Sequence, residues 1–445
     1  MRGFEFTMKR FLLTLWIVFC IGSINGSGAP ASGLERFYVG TYSGRIYQST
    51  LDLGAALFGT ITQAVATTDP SFIAMAPNRA FLYCVNESPG TVSAFSINPT
   101  NGSLKLLNQV PSNGGAPAHI VVDRSGKNVI VANYNGGSVT VFPIQTSGKL
   151  GTASSHIQHP GTSPHAHCVT LDRGNQFALV CDKGLDQIRS YVFDATAGTL
   201  TTNKTLITTV AAGSGPRHMT FDPEYKRAYV ICESSSTVVG FNYDGENGTL
   251  TSFQTVSTLP PAGFGGNTTA EIAVHPSGKF LYGSNRGFNS IVVYAIESST
   301  GILTPVQQQA TGATPRNFAI DPTGGFCIVA GQVSNDIRLY RINQDTGSLS
   351  ETGKRLTAAA PVCILPIILQ PPQPVLSVQA ISNNTFQFTL GNTLSLFTYQ
   401  LYNAYYLGTG TNWNLLATGD PGQIRFVLTN QFGAEFFQAG VVTNY

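Results

Sequence analysis

Charge is scarce in this chain. Lys, Arg, Asp and Glu make up 11% of its 445 residues, less than half the roughly 25% of an average soluble domain. The formal net charge is +2, and no basic run or stripe is present. That excludes a nucleic-acid binder working through phosphate neutralisation. No stretch reaches the roughly eighteen consecutive apolar residues that a membrane-spanning helix needs. The seven cysteines form no CxxC pair, so neither a zinc ribbon nor a thioredoxin-type redox motif is encoded. The polar excess of a disordered chain is missing as well, since 42% of residues are hydrophobic.

What is present is a repeated phrase: an apolar strand, usually led by Pro, then a turn, a second strand and a polar connection. It occurs as PSFIAMAPNRAFLYCVNE from Pro70, PAHIVVDRSGKNVIVANYN from Pro117 and PHAHCVTLDRGNQFALVCDKG from Pro164. It returns as PRHMTFDPEYKRAYVICESS from Pro216, AEIAVHPSGKFLYGSNRG from Ala270 and PRNFAIDPTGGFCIVAGQV from Pro315. A spacing of about 45 to 55 residues with several short strands per unit predicts β-propeller blades. Each unit reads as four strands, A to D. Gly-centred turns join C to D at Gly102, Gly198, Gly248, Gly301 and Gly347.

The two ends of the repeat complement each other. FYVGTY (Phe37–Tyr42) and RIYQSTL (Arg45–Leu51) read as strands B and C with no A before them. APVCILPI (Ala360–Ile367) reads as a strand A with no B after it. Closure of a seven-bladed ring by the C-terminal strand follows, and it leaves no open sheet edge. The expected fold class is all-β: a seven-bladed propeller over residues 32–370, then a Pro-rich linker and a small β-sandwich-like domain over 371–445. Six alternating segments after Val375 are rich in aromatics and poor in charge, with Trp413 as the expected core anchor. A contact with the cell surface or another protein is the role expected of this appendage.

Residues 1–31 read as a secretory signal. Arg2, Lys9 and Arg10 precede the apolar stretch Phe11–Gly22, and small residues follow it. Phe19 before Cys20 argues against a lipoprotein signal. The expectation is an exported protein, periplasmic or extracellular. The six remaining cysteines fall inside inner strands, where thiols act as small buried hydrophobes. A Cys168–Cys181 disulfide across adjacent strands is the alternative in an oxidising compartment.

In a propeller the starts of the A strands and the ends of the B strands gather at one mouth of the channel. Here the A-starts are His119, His165, His167, Arg217, His218, Glu271, Arg316 and Asn317. The B-ends are Glu87, Asn133, Tyr134, Asp182, Glu233, Arg286 and Gln332. Three Arg and four of the seven His meet there in a chain with few charges. Arg forks favour a carboxylate or phosphate, and His beside a carboxylate suits proton transfer near neutrality. The bland reading of any one such residue is a rim contact between blades; the concentration of the whole set points to a ligand site.

SPHAHCVTLD, GPRHMTFDP, CESSSTV, EIAVHPSGKFLYGSNRG and TPRNFAIDPTG resemble the lactonase family of seven-bladed propellers. That family includes propeller-type 6-phosphogluconolactonases and carboxy-muconate cyclases. The resemblance covers about Phe37 to Ile367 and implies ester-ring chemistry without a required metal or other cofactor. It assigns the site to His167 (or His165), Arg217, Glu233 and Arg286. Substrate contacts are expected from His165, His218, Glu271, Arg316, Asn317, Asn133 and Gln332.

The leading expectation is hydrolysis of a small anionic lactone, such as that of a sugar acid. His167 would deprotonate a water oriented by Glu233, and Arg217 or Arg286 would stabilise the oxyanion. A lactone-closing cyclase would use the same residues in reverse, and a non-catalytic exported propeller could bind a ligand at the same mouth. A cation-dependent enzyme would need oxygen ligands from Glu233, Glu271, Asn133 and Asp182, against the repulsion of three Arg.

Overall fold

The computed structural model describes residues 33–368 nearly continuously, and beyond them the backbone of six further strands. The expected signal segment, the Pro-rich linker and Trp413 lie outside the described residues.

Residues 33–368 form seven antiparallel sheets arranged as blades. Six take four consecutive strands each. Blade four, for example, runs Ala166–Leu171, Phe177–Asp182, Gln187–Asp194 and Thr199–Thr209. Blade one is assembled from both ends of the ring. Its inner strand Pro361–Ile368 pairs with Leu34–Thr41 in the register Tyr38 to Leu365, Val39 to Ile364 and Gly40 to Cys363. The closing strand therefore lies where the mismatched repeats place it.

The second strands are the core of each blade. Phe177–Asp182 and Phe280–Asn285 are buried along their whole lengths, as strands of a sheet packed on both faces are. Adjacent blades are also tied through the C–D turns. Tyr38, Tyr229 and Tyr282 each send a buried hydroxyl to the carbonyl of a turn glycine in the next blade: Gly102, Gly301 and Gly347, at 2.8, 2.9 and 2.7 Å. These glycines have φ of 74°, 78° and 73°, a region unfavourable to a side chain. Each hydroxyl satisfies itself against the neighbour's backbone, at a net gain of about 1 kcal/mol per bond.

All six cysteines of the ring are buried free thiols. Cys168 and Cys181 are register partners but are not joined, so the core-filling reading holds over the disulfide.

Beyond the ring, Val375–Ser382, Thr385–Gly391 and Arg425–Thr429 form one three-stranded sheet. Asn414–Thr418, Thr398–Ala404 and Phe436–Val442 form another. All six alternating segments of the sequence are thus strands.

Candidate active site

One irregularity recurs in every blade and builds the mouth. The inner strand slips by one residue near its start, so the residue after its first paired position is bulged. A bulge re-aims a side chain. The residues at the bulged place, in chain order, are Ser71, Ala118, His167, Arg217, Ala270, Arg316 and Val362. The next place holds Phe72, His119, Cys168, His218, Glu271, Asn317 and Cys363.

The second strand supplies the other wall. The residue just past its end donates its N–H to a carbonyl at the entry of the inner strand in all seven blades. Those residues are Tyr42, Glu87, Tyr134, Lys183, Glu233, Arg286 and Gln332. The residue one earlier points into the blade, as strand alternation demands. Asn133 is fully buried and donates to Thr140 Oγ1, Ser138 Oγ and the Ser112 carbonyl. It is therefore placed inside blade three, not at the mouth as expected. Asp182 is likewise internal: it holds His159 Nδ1 at 2.6 Å and accepts the N–H groups of His165, Gly184 and Leu185. Neither is positioned to join Glu233 and Glu271 around a cation.

Glu233 is the hub of the basic cluster. Lys183 Nζ lies 2.7 Å from its Oε1; Arg217 Nε and Arg286 Nη2 lie 3.0 and 3.1 Å from its Oε2. Burial pushes the carboxyl up, but the three cations overcome this and hold it at about 2. Glu233 is thus a fixed anion that organises cations. Its proton affinity is too low for a general base near neutrality. The guanidiniums are anchored a second time: Arg217 donates to the Ala270 carbonyl at 2.6 Å and Arg286 to the Thr269 carbonyl at 2.9 Å. Burial, reinforced by Arg286 and Arg316, lowers Arg217 to about 10, which leaves it charged at pH 7.

Arg316, at the bulge of blade seven, shares a pocket with Arg217. It donates to the Tyr42 hydroxyl at 2.8 Å, and that hydroxyl donates to Glu87 at 2.6 Å. Arg217, Arg316, His218, Asn317, Glu87, Ser71 and Phe72 line a small pocket, part of it open to solvent, with Ala118 and Val362 completing the wall. Gln332 sits at the equivalent place in blade seven, half-buried.

The imidazoles form a second layer. His119 and His167 pack against His218 with ring centres 5.3 and 5.1 Å away. Tyr134 meets the edge of His167 at 5.5 Å and stacks on His165 at 4.5 Å. His165 itself bonds the Tyr134 carbonyl through Nδ1. Burial, reinforced by the positive charge of Arg217, pushes His119, His167 and His218 well below the usual histidine range. All three are neutral at pH 7. His218 Nδ1 meets Glu271 Oε1 at 2.9 Å, and Asn317 bonds the other oxygen of Glu271.

The structure thus brings His167, Arg217, Glu233 and Arg286 into one network with His165, His218, Glu271, Arg316 and Asn317, and leaves Asn133 outside it. Sequence reasoning missed Lys183, Tyr42 and Phe72. Lys183 and Tyr42 occupy the same place after the second strand as Glu233 and Arg286, so an alignment of the repeats on that place finds both.

The mouth gathers buried cations and buried imidazoles on one face of the ring. The family described as Lactonase, 7-bladed beta-propeller, matches residues 36–366. The chain belongs to that family, and by class it is a lactone hydrolase.

The 6-phosphogluconolactonase of Bacillus subtilis strain 168 is 32% identical over 294 residues, covering 63% of this chain and 83% of its own length. The 6-phosphogluconolactonase of Formosa agariphila is 33% identical over 305 residues, covering 65% and 82%. The periplasmic gluconolactonase of Pseudomonas aeruginosa superposes with a TM-score of 0.71 at 27% identity, over 76% of this chain and 100% of that one.

Proposed function

We propose that this protein opens an anionic lactone, such as that of a sugar acid, by direct attack of water. The observation that carries the reading is the placement of Arg217 and Arg316 in one pocket wall beside the neutral imidazole of His218. A guanidinium fork holds a carboxylate or phosphate in two parallel hydrogen bonds. One is left to stabilise the oxyanion that develops on the lactone carbonyl.

Arg217 suits the oxyanion, because its double anchorage to Glu233 and Ala270 fixes it before substrate arrives. Arg316, held by the hydroxyl and ring of Tyr42, suits the substrate's anionic group. A neutral imidazole takes the proton from water as its oxygen bonds the carbonyl carbon. The ring C–O bond then breaks, and the ring oxygen leaves as the alcohol after taking that proton back. The products are a hydroxy acid and, at neutral pH, a released proton. Export of the chain, read from residues 1–31, belongs to the same proposal and favours a substrate met outside the cytoplasm. The similarity to a periplasmic gluconolactonase supports that placement.

The test is a panel of carboxylated, phosphorylated and neutral sugar lactones, followed by alkali uptake at constant pH with and without EDTA. Ring opening above the spontaneous rate, unaffected by EDTA, is expected on the anionic lactones. No opening of any lactone, with tight binding of an anionic sugar acid, would instead favour a non-catalytic binding propeller.

A further inference from the structure

We propose that the water-activating base is His218, oriented by Glu271 and Asn317 as positioning residues in a relay that crosses blades five, six and seven. The inference rests on the lactonase reading above and decides which of its imidazoles moves the proton.

Of the three imidazoles packed together at the mouth, His218 is the one with a carboxylate behind it among the described residues. Its Nδ1 lies 2.9 Å from Glu271 Oε1. That oxygen also accepts the N–H of Ile272 at 3.0 Å, and Asn317 Nδ2 bonds the other oxygen. Asn317 is fixed in turn, because its Oδ1 accepts the Ile364 N–H of the closing strand at 2.8 Å. The ring cannot tilt freely: Phe72, His119 and His167 pack against it at 5.7, 5.3 and 5.1 Å. The remaining nitrogen, Nε2, is buried without a hydrogen-bond partner among the described residues. His218 also lines the pocket that holds Arg217 and Arg316.

A base oriented by a carboxylate, with its other nitrogen free beside an oxyanion donor, meets the geometric requirement for water activation. Among the described residues His167 has no carboxylate partner, and its Nδ1 has no hydrogen-bond partner. The proton balance is simple. With Glu271 ionised, Nδ1–H donates to it and Nε2 carries the lone pair. Nε2 takes the proton of water during attack and returns it to the ring oxygen as the C–O bond breaks.

The relay has a pH signature. Glu271 is pushed up to about 7, chiefly by burial. Arg217 and His218 of blade five, His119 of blade three, Cys168 of blade four and Cys363 of blade one face it. Below that value Glu271 carries the proton and donates it to Nδ1, which moves the imidazole hydrogen to Nε2 and removes the lone pair.

The experiment combines kinetics on an anionic lactone with ¹⁵N NMR of histidine-labelled protein. His218→Gln should lower kcat by about 10²-fold with little change in KM. Glu271→Gln should erase the rise in kcat around pH 7. In the wild type at pH 8 His218 should carry its hydrogen on Nδ1. Unchanged kcat in His218→Gln, or a wild-type His218 carrying its hydrogen on Nε2, overturns the relay. The tautomer measurement needs neither turnover nor a variant. Loss of every lactone activity in the wild type would therefore defeat the proposed function while leaving the relay separately decided.

Discussion

Glu233→Gln is the most revealing single change. The carboxylate is the shared counter-ion of Lys183, Arg217 and Arg286, at 2.7, 3.0 and 3.1 Å, and its side chain is only 14% exposed. An amide keeps the shape, removes the charge and leaves three cations facing one another. Breaking a buried pair from one side costs about 3–5 kcal/mol. The proton equilibrium gives an independent figure: holding Glu233 at about 2 instead of 4.5 is worth about 3 kcal/mol. The sign follows from the direction. A carboxyl lowered by folding stabilises above its unfolded value, and this contribution is lost as pH falls from about 4.5 through about 2.

Urea denaturation of both proteins across pH checks this. The variant should be less stable by about 3 kcal/mol at pH 7, and the gap should close toward pH 2 as the wild-type carboxyl protonates. A gap that ignores pH, or no gap at all, would refute the shared counter-ion. Turnover should also fall, by about 10²-fold, because Arg217 loses the partner that aims it.

Other outcomes follow from the same geometry. Arg217→Ala should lower turnover by about 10²-fold and also lower the melting temperature, because this side chain is 3% exposed and doubly anchored. The buried imidazoles of His119, His167 and His218 must stay neutral on folding, so stability should fall as pH drops below about 6.5. Each pushes stability down as pH falls, and proton uptake by Glu271 opposes them in part; a flat urea midpoint from pH 6.5 to 5 would contradict their burial. Deleting residues 360–445 should prevent folding by removing the inner strand of blade one. Deleting residues 375–445 should leave the thermal transition of the ring in place.

Much of the ring was legible because a propeller repeats its own sequence. The A-less start and the B-less end specify closure by Val362–Leu365 beside Phe37–Gly40, and those strands do pair. The A-starts were legible too: Arg217, His218, Arg316 and Asn317 put polar side chains into largely apolar strands.

The second-strand ends were harder to read, for a definite reason. Side chains alternate with a period of two, so one residue decides between the blade interior and the mouth. The inner-strand bulge that sets this phase leaves no mark in the sequence. Asn133 and Asp182 therefore looked like mouth residues, while their neighbours Tyr134 and Lys183 are the ones that reach it. The roles of the acids were hidden as well. Glu233 and Glu271 read alike in sequence; the clustering of three cations on one and the burial of the other send their proton affinities in opposite directions.

The central claim is that the Arg-lined mouth opens anionic lactones. The most direct measurement is the ratio of kcat/KM for a carboxylated or phosphorylated sugar lactone to that for its neutral counterpart, in the wild type and in Arg316→Ala. The account expects a strong preference for the anionic lactone in the wild type and its collapse in the variant, with neutral-lactone turnover little changed. Equal turnover of both lactones in the wild type, or a preference that survives the loss of Arg316, would contradict it.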